Sequence, residues 1–257
     1  MSRGPTKEGA GDPDPFVSDL TVSELLLASS AGFRPKGLVF GCSIFHAGTR
    51  PYRPTRSCEV DQLSSGLYEA RHDAISRMSD EAAALGADGV IGVRLTLSTG
   101  GWSQKSVEFN AVGTAVEAVD GSDWTTADGT PFVSDLSGRE FFTLLRSGHR
   151  PLGFVMGSCV YHVGRRRTPV VAGQAGRNVE LSVQTQALYS ARELAMTRMQ
   201  DEASALGAAG VVGSRITEST HVWRHRFIEF LAFGTAIEPL DGRSESLPLD
   251  LSLGMDR

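Results

Sequence analysis

Long apolar runs are missing from this chain of 257 residues. No stretch approaches the ~20 consecutive apolar residues that a membrane-crossing helix needs. Cysteine is scarce and odd in number, three in all. That excludes a full disulfide framework and fits a reducing compartment. An excess of basic charge is also absent: 25 Lys and Arg stand against 30 Asp and Glu, a net charge of −5. Proteins built for duplex nucleic acid usually carry a basic footprint instead. Familiar catalytic signatures are lacking too. No Gly-x-Gly-x-x-Gly follows a strand pattern, and there is no P-loop, nucleophile elbow or His-Glu-x-x-His. The polar, Pro/Gly-rich opening stretch has no apolar core of the kind a signal peptide requires. These absences predict a cytoplasmic protein with neither nucleic acid nor membrane as partner.

What the chain does have is repetition. Pro-Phe-Val-Ser-Asp-Leu at 15–20 returns at 131–136, and Gly37-Leu-Val-Phe-Gly41 returns as Gly153-Phe-Val-Met-Gly157. Leu85-Gly-Ala87 and Gly113-Thr-Ala115 return as Leu206-Gly-Ala208 and Gly234-Thr-Ala236. Phe16 to Phe132 is a step of 116 residues and Leu85 to Leu206 a step of 121, so the second copy carries five extra residues in between. Repetition at this scale is a statement about architecture. It predicts a tail over 1–14, a first domain over 15–119, a turn-rich linker over 120–130, a second domain over 131–240 and a C-terminal tail over 241–257.

Each copy opens on a capping box. Thr21 and Glu24 precede Leu25-Leu26-Leu27, and Ser137 and Glu140 precede Phe141-Phe142. The hydroxyl satisfies one free amide of a first helical turn and the Glu another. Gly32 and Gly148 then end the helix. A strand is expected over about 37–45 and 153–161, and a long helix over about 63–85 and 185–206. Apolar positions Leu67, Ala70, Ala74, Met78, Ala82 and Leu85 step by three and four, and the second copy repeats the pattern. So many alanines mean that something packs close. Two further strands, 89–99 with 106–119 and 210–219 with 226–239, close each copy as a hairpin. The fold class is therefore α+β, a tandem βαββ unit in which a three-stranded antiparallel sheet lies on one long helix behind a short leading helix.

A hairpin register that sets Ile91, Val93 and Leu95 against Ala111, Phe109 and Val107 brings Arg94 opposite Glu108. The same register brings Arg215 opposite Glu229, so these four are expected as structural ion pairs. Arg71 and Glu81, with Arg192 and Glu202, sit too far apart along their helices to share one site and are also expected as structural ion pairs. One helix covers only one face of a sheet. In the second copy the far face still offers Val211, Phe227, Leu231 and Phe233. That is much apolar surface to leave in water, so the other copy or another chain is expected to cover it, at or near a subunit contact.

The run Tyr68-Glu-Ala-Arg71, Leu85-Gly-Ala-Asp-Gly-Val90 and Gly113-Thr-Ala115, matched by Tyr189-x-Ala-Arg192, Leu206-Gly-Ala-Ala-Gly-Val211 and Gly234-Thr-Ala236, resembles the YbjQ-like family. The resemblance covers about 35–118 and 151–239. It implies a dodecin-like βαββ fold assembled into pentameric rings, and it brings a heavy-metal-binding label but no catalytic residues. Ala209 stands where the family pattern has Asp, and a tandem chain departs from its usual single domain.

Metal binding by a divalent or soft ion is the cofactor expectation that the label invites. Soft metals want thiolate and imidazole converging at about 2.0–2.3 Å. Cys42 aligns with Ser158, and Ser43 with Cys159. A one-residue shift turns a strand side chain to the opposite face, so the three cysteines read as packing residues. Only His46 and His162 survive duplication. They read either as strand-end histidines bonded to backbone or, if a ring gathers one from each domain, as metal ligands. The loops after the first strands are basic: Arg50, Arg53 and Arg56 in one copy, Arg165, Arg166, Arg167 and Arg177 in the other. They read as solvated loops or as a small-anion site, since guanidinium forks suit phosphate and carboxylate. The function expected is a non-enzymatic, ring-forming homo-oligomer whose partner is itself; binding of a metal ion or small anion ligand is the alternative.

Overall fold

The computed structural model describes residues 16–46, 57–99, 106–164, 180–220 and 227–240. Two short helices carry the expected capping boxes: α1 (Val22–Ser30) behind Thr21 and Glu24, and α3 (Gly138–Arg146) behind Ser137 and Glu140. The long helices are α2 (Asp61–Ala84) and α4 (Ser182–Ala205). Neither has a side-chain cap, so packing rather than capping fixes where they begin. The strands are β1 (Phe33–His46), β2 (Cys58–Glu59), β3 (Gly89–Thr99), β4 (Ser106–Ala118), β5 (Phe132–Val133), β6 (His149–His162), β7 (Gly210–Thr220) and β8 (Phe227–Pro239).

The alanine stripes have a direct cause. On β1, a Cβ at Gly41 would lie 2.0 Å from the Ala74 carbonyl oxygen and 2.5 Å from the Met78 nitrogen of α2. On β6, Gly157 meets Ala195 and Met199 of α4 in the same way, at 2.0 and 2.6 Å. Helix and strand therefore touch backbone to backbone, which only glycine beneath and alanine above permit. Leu67, Ala74, Met78 and Ala82 are buried on this contact, as are Ala191, Ala195, Met199 and Ala203.

Each copy supplies its three antiparallel strands, but each sheet has four. The first runs β1-β4-β3-β5 and the second β2-β6-β8-β7. The fourth strand of each comes from the other copy. Segment 131–136, which the repeat assigns to the second copy, hydrogen-bonds along β3 of the first, in parallel. The short β2, from the first copy, pairs with the end of β6 in the second. The three-stranded expectation thus falls short by one exchanged strand on each side, and a short strand carries too little periodicity to announce itself.

The hairpin register also differs from the expected one. Gly92 and Gly213 adopt φ of +67° and +64°, and a register shift lies between Ile91 and Arg94 and between Val212 and Arg215. One extra residue is accommodated there, a bulge that glycine allows at little steric cost. Arg94 faces Val112, and Glu108 faces Ser98. Arg215 faces Phe233, and Glu229 faces Ser219. The expected Arg94–Glu108 and Arg215–Glu229 pairs do not form: Ile91 already faces Thr114 rather than Ala111, so the register differs by three residues on one side of the bulge, and the bulge adds a fourth on the other.

A candidate assembly seam between and beyond the two copies

The two copies meet along a polar and apolar seam. Helix α2 of the first lies over β6 and β8 of the second, and the cluster formed by Leu63, Leu67, Met78 and Phe109 takes in Val160 and Phe227 from across the seam. At its centre Arg71, 3% exposed, meets Glu229, 1% exposed, at 2.6 Å. Ser158 Oγ donates to Glu229 Oε1 at 3.1 Å, and the guanidinium lies 4.6 Å over the Phe109 ring. A buried charge needs such compensation, because an unpaired one costs several kcal/mol.

Flanking bonds extend the seam. Tyr68 donates to Glu202, which also receives the Met156 amide at 2.7 Å. Burial, and then the Glu202 carboxylate, push the Tyr68 phenol well above its ordinary range, so it stays a donor. Arg198 reaches both oxygens of Glu59, at 2.6 and 3.0 Å, and the Ser158 carbonyl at 2.6 Å. Burial alone would raise the Glu59 carboxyl. The bonds from Arg198 and Ser64, with the Arg198 charge, outweigh it and hold the group below the usual carboxylate range. Val60 donates its amide to the Val160 carbonyl at 2.8 Å, and the Val160 amide goes to Ser64 Oγ at 2.8 Å.

The exchanged segment joins both copies at once. Its backbone follows β3: Phe132 N donates to Asp88 O at 3.0 Å, Ser134 N to Val90 O at 2.9 Å, and Gly92 N to Leu136 O at 2.9 Å. Its polar side chains bond to the second copy: Ser134 Oγ lies 3.0 Å from Thr235 Oγ1, and Asp135 Oδ1 accepts from the same hydroxyl at 2.7 Å. The counterpart segment 16–20 is anchored alike, with Ser18 Oγ 3.2 Å and Asp19 N 3.1 Å from Thr114 Oγ1.

The residues singled out by sequence fall in several places. Phe227 and Leu231 are buried, and Val211 and Phe233 are half-buried, with Phe233 stacked on Phe154 at 5.7 Å. It is the first copy, in the same chain, that contributes the cover over Phe227. The open apolar face lies instead in the first copy, where Leu38, Phe40 and Ile44 of β1 are exposed. His46 is exposed at the end of β1. His162 is buried against the Phe227 ring, edge-on at 5.2 Å, and sits across from Cys58 in the β2–β6 pair. All three cysteines are free, and burial, followed by the nearby Glu59, pushes the Cys159 thiol up to about 12. Among the described residues no three His, Cys, Asp or Glu side chains converge as a metal site. Arg50, Arg53, Arg165, Arg166 and Arg167 lie outside the described residues. Arg94 pairs with Asp19, and Glu108 accepts from Asn110 at 2.9 Å. Arg192, the copy of Arg71, lies exposed beside Tyr189.

The seam residues Tyr68, Ser64, Glu59 and Arg198, and the threonine latch, were not foreseen as partners. The latch had a signal: Ser18 and Ser134, with Thr114 and Thr235, are hydroxyls kept in both copies.

The sequence model of the YbjQ family, described as "Putative heavy-metal-binding", matches residues 37–119 and again 148–239. The chain belongs to the YbjQ-like family. It is 42% identical, over 243 residues, to an encapsulin nanocompartment protein of Mycobacterium tuberculosis; the match covers 94% of this chain and 92% of that protein. UPF0145 proteins match over a single repeat's length. That of Halalkalibacterium halodurans is 38% identical over 88 residues, 34% of this chain and 79% of its own. That of Thermotoga maritima is 38% identical over 89 residues, 34% of this chain and 80% of its own. The tandem arrangement is thus shared with the mycobacterial protein across almost the full length. Among the described residues no helix is long and apolar enough to cross a membrane.

Proposed function

We propose that this chain is a non-enzymatic, cytoplasmic building block that assembles with copies of itself, in a pentamer-like ring of dodecin-like domains, and that it serves a protein nanocompartment. The observation that carries the reading is the open face of β1. Phe40 is 48% exposed, while its copy Met156, under α2, is 3% exposed. Faces of this kind mark association surfaces. The likeness to an encapsulin nanocompartment protein over nearly the whole chain supports the same role. The test is the molar mass in solution, by light scattering at micromolar concentration. A mass of several chains is expected, and a single-chain mass overturns the reading.

A second reading, favoured by the family's description, is metal binding through His46 and His162, with the Arg loops as a small-anion site. Elemental analysis of tag-free protein checks it. Metal that persists after His46→Ala with His162→Ala removes the histidines from the site.

A further inference from the structure

The seam inside the chain has two sides, and each copy contains both. The side built on the first copy is the outer face of α2 together with the edge of β3. The side built on the second copy is β6, Glu202, Glu229 and the segment Phe132–Leu136. Each of these is used once within the chain. The second copy therefore retains its own α4 face and β7 edge, and the first retains its β1 face, Glu81 and the segment Phe16–Leu20.

We infer that these leftover sides join two chains head to tail: the segment Phe16–Leu20 of one chain adds in parallel to β7 of the next, as Phe132–Leu136 adds to β3 within the chain. The inference rests on the self-assembly proposed above and names the contact that would perform it.

Several observations point to a second copy as the occupant. The first is a reserved space. A Cβ on Gly89 would lie 2.2 Å from the Phe132 ring, which therefore covers that glycine. The equivalent glycine on β7, Gly210, has nothing within 4 Å. The aromatic that would fill the space by repeat equivalence is Phe16, and it is 51% exposed where Phe132 is 1%. The segment is also already held in position. Ser18 and Asp19 are latched to Thr114 as Ser134 and Asp135 are to Thr235. In the second copy that latch leaves the backbone pointing at β3, so in the first it presents the backbone outward.

The helix side agrees. Tyr189 and Arg192, the copies of Tyr68 and Arg71, are exposed on α4. Repetition of the seam carries Tyr189 to Glu81 and Arg192 to Glu108 of the next chain. Glu81 already accepts the Phe40 amide at 2.6 Å, as Glu202 accepts that of Met156. Leu181, the copy of the buried Val60, is exposed, as is Ile44, the copy of the buried Val160 that Val60 meets. Polar groups and apolar groups thus match on both sides.

Such a contact is heterologous, so it generates a closed ring or an open filament rather than a two-fold dimer. Each chain brings two domains, so any ring closed by this contact alone holds an even number of domains. Five chains with ten domains satisfy this condition, and they are the form of the pentamer-like ring that whole chains can tile through this contact.

Two variants of the full chain test the inference. Gly210→Leu fills the reserved space where the isolated chain leaves room, and Phe16→Asp alters an exposed side chain. Each is expected to keep the wild-type melting midpoint at low concentration and to weaken association at least tenfold in light scattering. Mixed in equal amounts, the two variants still offer one intact pair of surfaces: the Phe16 segment of the Gly210→Leu chain and the β7 edge of the Phe16→Asp chain. A two-chain species that grows no further is expected. If the wild type assembles and both variants assemble equally well, the contact is wrong and the assembly reading stands. If the variants weaken assembly but their mixture forms no two-chain species, the head-to-tail pairing is wrong. If the wild type is a single chain throughout, both readings fall.

Discussion

The same six residues behave differently at the two ends of the duplication. Pro131–Leu136 is buried between two sheets, whereas Phe16 and Val17 of the first segment lie open to solvent. The anchoring is alike: in each segment the serine hydroxyl and the aspartate backbone amide lie on a threonine hydroxyl. What differs most is whether a neighbouring sheet edge is present. Local sequence sets how the segment is held by its own domain, and the neighbour decides whether its apolar side chains are covered. The same holds for the helices, where Arg71 is sealed on Glu229 and Arg192 is not.

The sharpest way to break this comparison is at the two arginines. Arg71→Ala takes the buried guanidinium away from Glu229 and is expected to cost about 3–5 kcal/mol of unfolding free energy. Arg192→Ala, measured by the same denaturant titration below the association concentration, is expected to change it by less than about 0.5 kcal/mol. Equal losses at the two sites would mean that the copies do not differ as described. The glycines under the helices sharpen the comparison in the opposite sense. Gly41→Ala and Gly157→Ala each force a methyl group against helix backbone 2.0 Å away. Each is expected to cost about 1–3 kcal/mol, alike in both copies, because this contact lies inside a domain and needs no neighbour.

The smallest effect separates Asp19 from Asp135. Asp19 is ion-paired with Arg94. Asp135 is buried, with one oxygen taking the Thr235 hydroxyl and the other without a hydrogen-bond partner among the described residues. Burial pushes its carboxyl above the ordinary range, against the Thr235 bond and the Arg215 charge. A carboxyl whose pKa is raised on folding binds its proton more tightly in the folded state. Its contribution is therefore fully present below the unfolded value and is lost as pH climbs through the raised folded value. Subtraction of the Asp135→Asn stability profile from the wild-type one is expected to leave a term that falls with rising pH across the acid range. A difference profile that does not fall with rising pH would overturn the account given for Asp135.

Much of the fold was legible. Caps, stops and the three- and four-residue apolar steps placed the four helices of the described residues within a few residues of their observed ends. Of the glycines kept in both copies, Gly41 and Gly157 lie where helix and strand approach closely, and Gly92 and Gly213 lie at the bulges. The candidate site was less legible. Arg71 and Glu202 were visible as charges kept on long helices, but their partners lie across the seam, and periodicity reports only which way a residue faces within its own element. The hairpin register, and with it two expected ion pairs, was displaced by three residues even outside the bulges, because composition does not mark the residue about which a hairpin turns.

The sequence by itself determined that there are two copies, which residues form each helix and hairpin, and which small residues lie between helix and strand. These follow from local backbone preferences and from a periodicity that each element carries within itself. Only the tertiary structure decided that the copies exchange a strand each way, that Arg71 meets Glu229, and that one copy of each matching surface stays open. Those outcomes depend on pairings between distant segments, where the same residues are buried or bare according to what lies next to them.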